Sequence, residues 1–512
     1  MLIRDLLKNI QPLHIEGRLS GIVSDICYDS RRCTGGCLFV AIPGKMADGH
    51  HYIQQAVDRG AKFIVHEREY SPSPGVTAFK VSDSRRVLGI MGRNFYGDPS
   101  SRLCLIGVMG TNGKTTVTYL LESILKTAGF RVGVLGTVNY RFDTQVLPAP
   151  NTTPESYEMQ KILRTMVNAG ITHVIAEVSS HAVDLKRVDD CAFDMGIFTN
   201  LSQDHLDYHG TMENYFKAKK RFFDVVLPFG GKPEMFMIVN GDDPWGQRLA
   251  GDVRNNIHLR TFGIECDCDM MADSLALSLK GIKAQIHAGQ QAFSVSSSLI
   301  GKFNVYNILA ASLAGVSLNI PEKIIRKGIG KLKKVAGRLE KVSMADDPMV
   351  LVDYAHTDDA LRRVLQNLVA FRKKKIITVF GCGGDRDRGK RPLMGKAAVS
   401  YSDLTILTSD NPRTEKPLSI IEEIERGILE VSPKKYSPES LTRDMNEKGY
   451  SVISDRKNAI QTAVMLADPS DIVLIAGKGH ENYQIIGDRK IPFDDRKTAK
   501  DALKDRRSGK SN

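Results

Sequence analysis

Residues Leu103-Cys104-Leu105-Ile106-Gly107-Val108-Met109-Gly110-Thr111-Asn112-Gly113-Lys114-Thr115-Thr116 set an apolar run, a glycine-punctuated turn and a lysine with two threonines in direct succession. An apolar-periodic stretch over 118–125 follows. A strand enters, turns on glycine and leaves as a helix, which is the opening unit of a parallel α/β sheet. The glycines let backbone N–H groups close on phosphate oxygens, and the helix N-terminus adds positive potential. Lys114 is placed to reach the outer phosphates and Thr115 to offer its hydroxyl to magnesium. The usual phosphate-loop pattern wants a glycine where Val108 stands; here the glycines are Gly107 and Gly110. A turn that binds nothing is the competing reading, and a lysine with two threonines at the helix start argues against it.

A chain of 512 residues exceeds one ordinary core, so several domains are expected. Three blocks are read: a small α/β domain over 1–100, a central parallel-sheet ATPase domain of phosphate-loop type over 101–335, and a C-terminal Rossmann-like α/β domain over 336–512. The first carries a strand at 37–42 and a helix from Tyr52 to about Arg59, and Pro99-Ser100-Ser101 reads as a linker. Apolar runs at 132–135, 173–176 and 237–239 give the second block a βαβ rhythm. Runs at 349–352, 376–380, 404–407 and 472–475 do the same for the third. Ligands of such sheets sit beyond the carboxyl ends of the strands. Polar segments stand at those ends: Asp353 to His356, Gly381 to Arg386, Ser409 to Arg413 and Gly477 to Glu481.

No apolar run is long enough to span a bilayer, and the charged start 1–8 reads as a short amphipathic helix and not as a signal peptide. A cytoplasmic protein without membrane contact is expected. The net charge of +12 suits anionic partners. Basic residues are dispersed among acids with no aromatic-basic RNA motif, so a polyanionic small substrate is preferred to nucleic acid. The basic run 504–507 is expected to be a disordered tail. The eight cysteines contain no C-x-x-C pair; Cys33 with Cys37 and Cys266 with Cys268 have no matching second ligands nearby, so zinc is not expected and scattered reduced thiols are.

Within the middle block, Glu177 ends an apolar strand and can hold magnesium against phosphates. His205 and His209 stand among the carboxylates of 200–210, which suits a second metal or a substrate contact; imidazole would let manganese substitute. The loop Gly110 to Thr116, the strand end Glu177-Val178-Ser179-Ser180-His181, the segment Asp204-His205-Leu206-Asp207-Tyr208-His209-Gly210 and the segment Gly301-Lys302-Phe303-Asn304-Val305-Tyr306-Asn307 together resemble the Mur ligases of peptidoglycan synthesis. Tyr28-Asp29-Ser30-Arg31, Phe39 to Gly44 and Asp48-Gly49-His50 extend the resemblance through the first block. Asp410-Asn411-Pro412-Arg413 carries it into the third, where it is similar to a diaminopimelate-recognition motif.

The resemblance implies an ATP-dependent amide ligase, expected as a monomer. It would join meso-diaminopimelate to the D-glutamate of UDP-N-acetylmuramoyl-L-alanyl-D-glutamate through an acyl phosphate. The implied ATP contacts are Gly110, Thr111, Asn112, Gly113, Lys114, Thr115, Thr116, Asn307, Arg338 and Asp353. Thr115, Glu177 and His205 are implied magnesium ligands, and Lys114, His205 and Lys219 the catalytic residues. Lys219 is implied to carry a CO2-derived carbamate that also serves the metal; the residues alone do not separate it from Lys217 or Lys220. The nucleotide-sugar peptide would meet Ser30, Lys45, Met46, Ala47, Asn151, Thr152, Thr153, Ser179 and Arg187. Leu185 replaces a glutamine found in some members, and Asp358 a common proline, from which only a local backbone effect is expected. Diaminopimelate would meet Arg386, Asp410, Asn411, Pro412, Arg413, Gly477 and Glu481. Arg413 can pair bidentately with the distal carboxylate that lysine lacks. Rivals are the same ligase using L-lysine, a folylpolyglutamate-type ligase, which lacks the first block, and a nucleic-acid-stimulated ATPase.

Overall fold

The computed structural model describes residues 1–509 except 45–46, 254–255, 290, 345, 432, 444 and 446. Three sheets follow one another along the chain. The N-terminal sheet holds β1 (His14–Glu16), β2 (Ile26–Cys27), β3 (Leu38–Val40), β4 (Phe63–His66) and β5 (Thr77–Lys80) in the order β1-β5-β4-β3-β2, with only β1 antiparallel.

The central sheet is built on β6 (Cys104–Met109), β7 (Val132–Leu135), β8 (Tyr140–Phe142), β9 (Gln145–Leu147), β10 (His173–Glu177) and β11 (Met195–Phe198). It continues through β12 (Phe236–Asn240), β13 (His258–Gly263), β14 (Met270–Ser278), β15 (Gly281–Ala288) and β16 (Gln291–Ser297). Its order is β16-β15-β14-β13-β12-β11-β6-β10-β7-β8-β9. The middle strands are parallel and the two ends are antiparallel hairpins. Strands β6, β7, β10, β11 and β12 are almost wholly buried, as expected for a parallel sheet covered on both faces.

The C-terminal sheet contains β17 (Glu340–Lys341), β18 (Met349–Asp353), β19 (Ile376–Phe380), β20 (Leu404–Leu407), β21 (Lys434–Lys435), β22 (Gly449–Val452) and β23 (Ile472–Ala476). Their order is β17-β18-β23-β19-β20-β22-β21, with β17 alone antiparallel. A separate hairpin joins β24 (Tyr483–Ile486) to β25 (Arg489–Pro492). The three-domain α/β class expected from sequence is the observed one.

Two features of the central sheet position the site. The helix Lys114–Thr127 has Gly113 at its N-cap, in a left-handed conformation with φ 90°, and no side chain caps it. Its first N–H groups therefore stay free for an external acceptor. On the other side of β6, the helix Met212–Arg221 runs on into the π-helical turn Phe222–Val226. Phe222 and Phe223 pack against Gly107 and Gly196, where an added Cβ would come within 2.6 Å of Phe222 and 2.7 Å of Phe223. Burying each ring contributes about 2–3 kcal/mol. It also fixes the helix end that carries Lys219.

Three expectations are corrected. Residues 504–507 are not a disordered tail: the helix Asp495–Arg507 buries Ala499, Ala502 and Leu503, and Arg506 donates to the carbonyls of Val464 and Met465. Pro99-Ser100-Ser101 is a 3-10 turn, not a free linker, and the buried Ser100 hydroxyl accepts from Ala192 N. The cysteines are not all scattered, because Cys27, Cys33 and Cys37 cluster. Asp358 opens the helix Asp358–Val369 and pairs with Arg362.

Candidate active site

A cavity of about 560 Å³ opens where the central and C-terminal sheets face each other. Residues 111–116 of the phosphate loop, Glu177, His205, Asn307, Arg338 and Asp353 line it, together with Thr152 and Ser179. Gly110, at φ 141°, sits at the base of the loop, where an added Cβ would collide with the Thr199 hydroxyl.

Two lysines converge on the loop from opposite sides. Lys114 Nζ donates to the carbonyls of Gly110 (2.8 Å) and Thr111 (2.9 Å), and Lys219 Nζ donates to the same Gly110 carbonyl (3.0 Å). Lys219 is 1% exposed. Burial first and the facing Lys114 second push its amine well below the ordinary lysine range. Burial also lowers Lys114. Neither lysine has an ion-pair partner among the described residues.

Oxygen ligands gather beside this pair. The Thr115 hydroxyl donates to Glu177 (3.0 Å), and Thr137 donates to the same carboxylate from its hydroxyl (2.8 Å) and its N–H (3.2 Å). A hydroxyl and a carboxylate so placed suit a hard divalent cation. His205 adopts a left-handed φ of 54° and stands 3.4 Å from Asp204. Desolvation, with Lys219, Lys114 and His356 nearby, lowers its imidazole to about 4, so the ring is neutral and free to ligate at neutral pH. His209 is committed elsewhere, to the Ser180 hydroxyl and the Tyr215 ring.

The far wall comes from the third domain. The Asp353 carboxylate accepts from Leu339 N (2.7 Å) and Ala355 N (2.8 Å), which ties the Arg338 segment to the end of β18. Arg338 lies over the Tyr354 ring at 4.5 Å and donates to Thr115. Asn307 donates to Asn304, and its amide presses against Gly113, where a Cβ would lie 2.4 Å away.

Of the residues expected at the sugar-peptide, Thr153 is buried between Glu177 O and Ser179 N, and Arg187 donates to Thr153 O while pairing with Glu155. The Asn151 carbonyl accepts from Tyr140. Ser30 is buried in the first domain with its hydroxyl on Gln55 (2.6 Å), and Ala47 is exposed; Lys45 and Met46 lie outside the described residues. Leu185 only caps the short helix Ser180–Asp184.

Asp410, Asn411, Pro412 and Arg413 follow β20, and Gly477 and Glu481 follow β23. Asn411 donates to Glu481 (2.9 Å), and the Asp410 carboxylate fills the place of a Cβ on Gly477. Pro412 O packs on Gly384. Arg413, at φ 53°, donates to Gly384 O (2.6 Å). Burial and neighbouring Arg386 both lower it. Arg386 is exposed and donates to Asp385 O.

The sequence reading passed over several groups. Lys478 is fully buried and donates to Asn411 (3.0 Å) and Glu481 (3.1 Å), with Asp410 at 3.7 Å. A lysine between two glycines at a strand end was the available signal. Asp204 is another: burial would raise its carboxyl, but His205, His356, Lys390 and Lys114 outweigh that and lower it. Thr137 also lines the cavity, and only its neighbours in space identify it; Tyr354 and His356, from the strand-end segment the sequence marks, line it too.

Family models match residues 23–96 (Mur ligase family, catalytic domain), 108–315 (Mur ligase middle domain) and 337–479 (Mur ligase, glutamate ligase domain). The chain is 44% identical over 510 residues to the UDP-N-acetylmuramoyl-L-alanyl-D-glutamate--2,6-diaminopimelate ligase of Geobacter sulfurreducens, covering 99% of this chain and 100% of that one. A solved structure of a ligase of the same name is similar with a TM-score of 0.68 at 31% identity, covering 98% of this chain and 99% of that chain. The ADP complex of MurF ligase from Thermotoga maritima shares the fold, with a TM-score of 0.60 at 19% identity over 95% of this chain and 97% of that chain.

Proposed function

The chain belongs to the Mur ligase family, and from that premise we propose how its residues divide the work of an ATP-dependent amide ligase. Its reaction adds meso-diaminopimelate to UDP-N-acetylmuramoyl-L-alanyl-D-glutamate in the synthesis of peptidoglycan precursors. The observation that carries the division of labour is the convergence of Lys114 and Lys219 on one loop, facing a strand-end wall from the third domain.

A carboxylate is a poor acylating agent, because oxide does not leave. Transfer of the γ-phosphoryl group of ATP to the D-glutamate carboxylate makes an acyl phosphate and ADP. The amine of diaminopimelate then attacks the acyl carbon, loses a proton, and inorganic phosphate departs as the amide forms. Both reactants are anionic, so the site must offset their repulsion. Lys114 supplies charge to the phosphates, the open N–H groups at 113–116 bind their oxygens, and Arg338 closes the site from the third domain. Thr115, Glu177, His205 and a carbamylated Lys219 would hold magnesium or manganese. Such an ion would withdraw charge from the transferring phosphoryl oxygens. A carbamate forms only on a neutral amine, and the buried Lys219 beside Lys114 fits that need.

Arg413 reads the distal carboxylate of diaminopimelate, while Asp410, Asn411 and Glu481 receive its distal ammonium. Lysine offers no such carboxylate and would leave the guanidinium unpaired. The three blocks 1–100, 101–335 and 336–512 act as separate lobes of a cytoplasmic monomer that closes over its substrates. The test is turnover of purified protein with ATP, magnesium and the nucleotide dipeptide. New amide with meso-diaminopimelate and little with L-lysine is expected; equal turnover would remove the role given to Arg413.

A further inference from the structure

Cys27 ends β2, Cys33 closes the 3-10 turn Ser30–Arg32 and Cys37 precedes β3. Sequence spacing relates only the last two. The parallel pairing of Cys27 with Phe39 adds the third. All three side chains are buried, and their sulfurs lie within 4.8 Å of one another.

A cysteine can serve a core simply as a small apolar residue. Cys191 and Cys382 do so: each is buried singly, against Gln160 and Met394 respectively. Three core cysteines need not aim their sulfurs at one point, yet these do. An ion with metal–sulfur bonds of about 2.3 Å holds its thiolates roughly 3.8–4.0 Å apart, a spacing that this cluster reaches with side-chain adjustment. The Cys27 thiol donates to Arg32 O at 3.5 Å, which sets its sulfur beside the turn that Cys33 closes.

We propose that Cys27, Cys33 and Cys37 form a tris-thiolate site for a thiophilic closed-shell cation, Cu+ or Zn2+, that ties β2, the Ser30–Arg32 turn and β3 together. Binding replaces S–H by sulfur–metal bonds and releases the thiol protons to solvent, with no change of oxidation state. Among the described residues no fourth His, Cys, Asp or Glu joins the group. That favours three-coordinate Cu+ over a closed four-ligand zinc centre. One consequence rests on the proposed function: the turn carries Ser30, so loss of the ion should raise KM for the nucleotide-sugar peptide and leave KM for ATP unchanged.

The full-length reduced protein is titrated without oxygen with Cu+ buffered by a chromogenic chelator, and separately with Zn2+ and Cd2+. Metal per chain and sulfur-to-metal charge-transfer absorption are recorded. One ion per chain is expected, with affinity at least tenfold lower in Cys33→Ser and Cys37→Ser and unchanged in Cys266→Ser/Cys268→Ser, which removes the other close sulfur pair. Alkylation of the wild type followed by peptide mapping covers the case where a variant does not fold: Cd2+ should protect Cys27, Cys33 and Cys37 together. No stoichiometric binding, binding that follows Cys266 and Cys268, or a disulfide within the cluster in the protein as isolated would each overturn the site. An ion that binds at the three cysteines without moving the nucleotide-sugar KM would break only the link to the proposed function.

Discussion

In the central lobe, Lys114 and Lys219 share the Gly110 carbonyl, with Lys114 also on Thr111 O, and have no carboxylate in ion-pair range among the described residues. In the C-terminal lobe the buried cations are matched: Lys478 with Glu481 and Asp410, Arg391 with Glu415 and Glu423, Arg456 with Asp495. Both lobes present their loops beyond the ends of parallel strands, yet one leaves charge uncompensated and the other balances it internally. A site that must gather phosphates and two anionic reactants gains from unpaired lysines, because the ligands themselves supply the counter-charge. On the proposed function, a site that distinguishes one diamino acid from another gains from a pre-set scaffold in which the half-buried Arg413 guanidinium rests on a carbonyl.

Removing the unpaired charge should do the most damage. Lys114→Ala is expected to lower amide formation by at least about 1,000-fold, some 4 kcal/mol, with an unchanged circular dichroism spectrum. Turnover near wild type would show that the open charge is not used. Lys219→Ala should follow at about 100-fold or more, and short carboxylic acids should restore part of the activity if a carbamate is what is lost. An intact-mass measurement of wild type under CO2 gives an independent reading. In the balanced lobe the same kind of change should appear as stability: Lys478→Met leaves Glu481 and Asp410 facing each other and should cost about 3 kcal/mol in urea unfolding. Arg413→Lys keeps the charge but not the fork. It should raise KM for diaminopimelate roughly 10- to 100-fold, about 1.5–3 kcal/mol, and scarcely move KM for ATP. Parallel changes in both constants would erase the contrast between the lobes.

A pH dependence provides the last test. Desolvation lowers His173 to about 4, below its unfolded value near 6.5. Between those values the unfolded chain binds the extra proton, so this contribution is present above about pH 6.5 and is lost as pH falls toward 4. His173→Phe should flatten the stability profile in that window, measured by urea midpoints at successive pH values.

Much of the site was legible because its parts are contiguous in the chain. The phosphate loop and the strand ends at Glu177, Asp353, Asp410 and Gly477 follow apolar runs that could be read directly. The antiparallel additions β8–β9 and β14–β16 were passed over: β9 is exposed throughout, whereas β16 does alternate between exposed and buried positions and was a signal left unread. Lys478 was passed over because its partners lie 67 residues away or across one turn. The tail was misread because its charge density hides an apolar stripe of Ala499, Ala502 and Leu503, which only the surface it packs on makes meaningful.

Sequence alone determined the three α/β blocks, the phosphate turn and the kind of chemistry a lysine with two threonines supports, because periodicity and turn residues act over a few positions. Which lysine of 217, 219 and 220 is buried, which cations find acids and which stay open, and how three cysteines meet were decided only by tertiary structure. Burial and charge pairing depend on what the fold brings close, and a linear order of residues does not contain those distances.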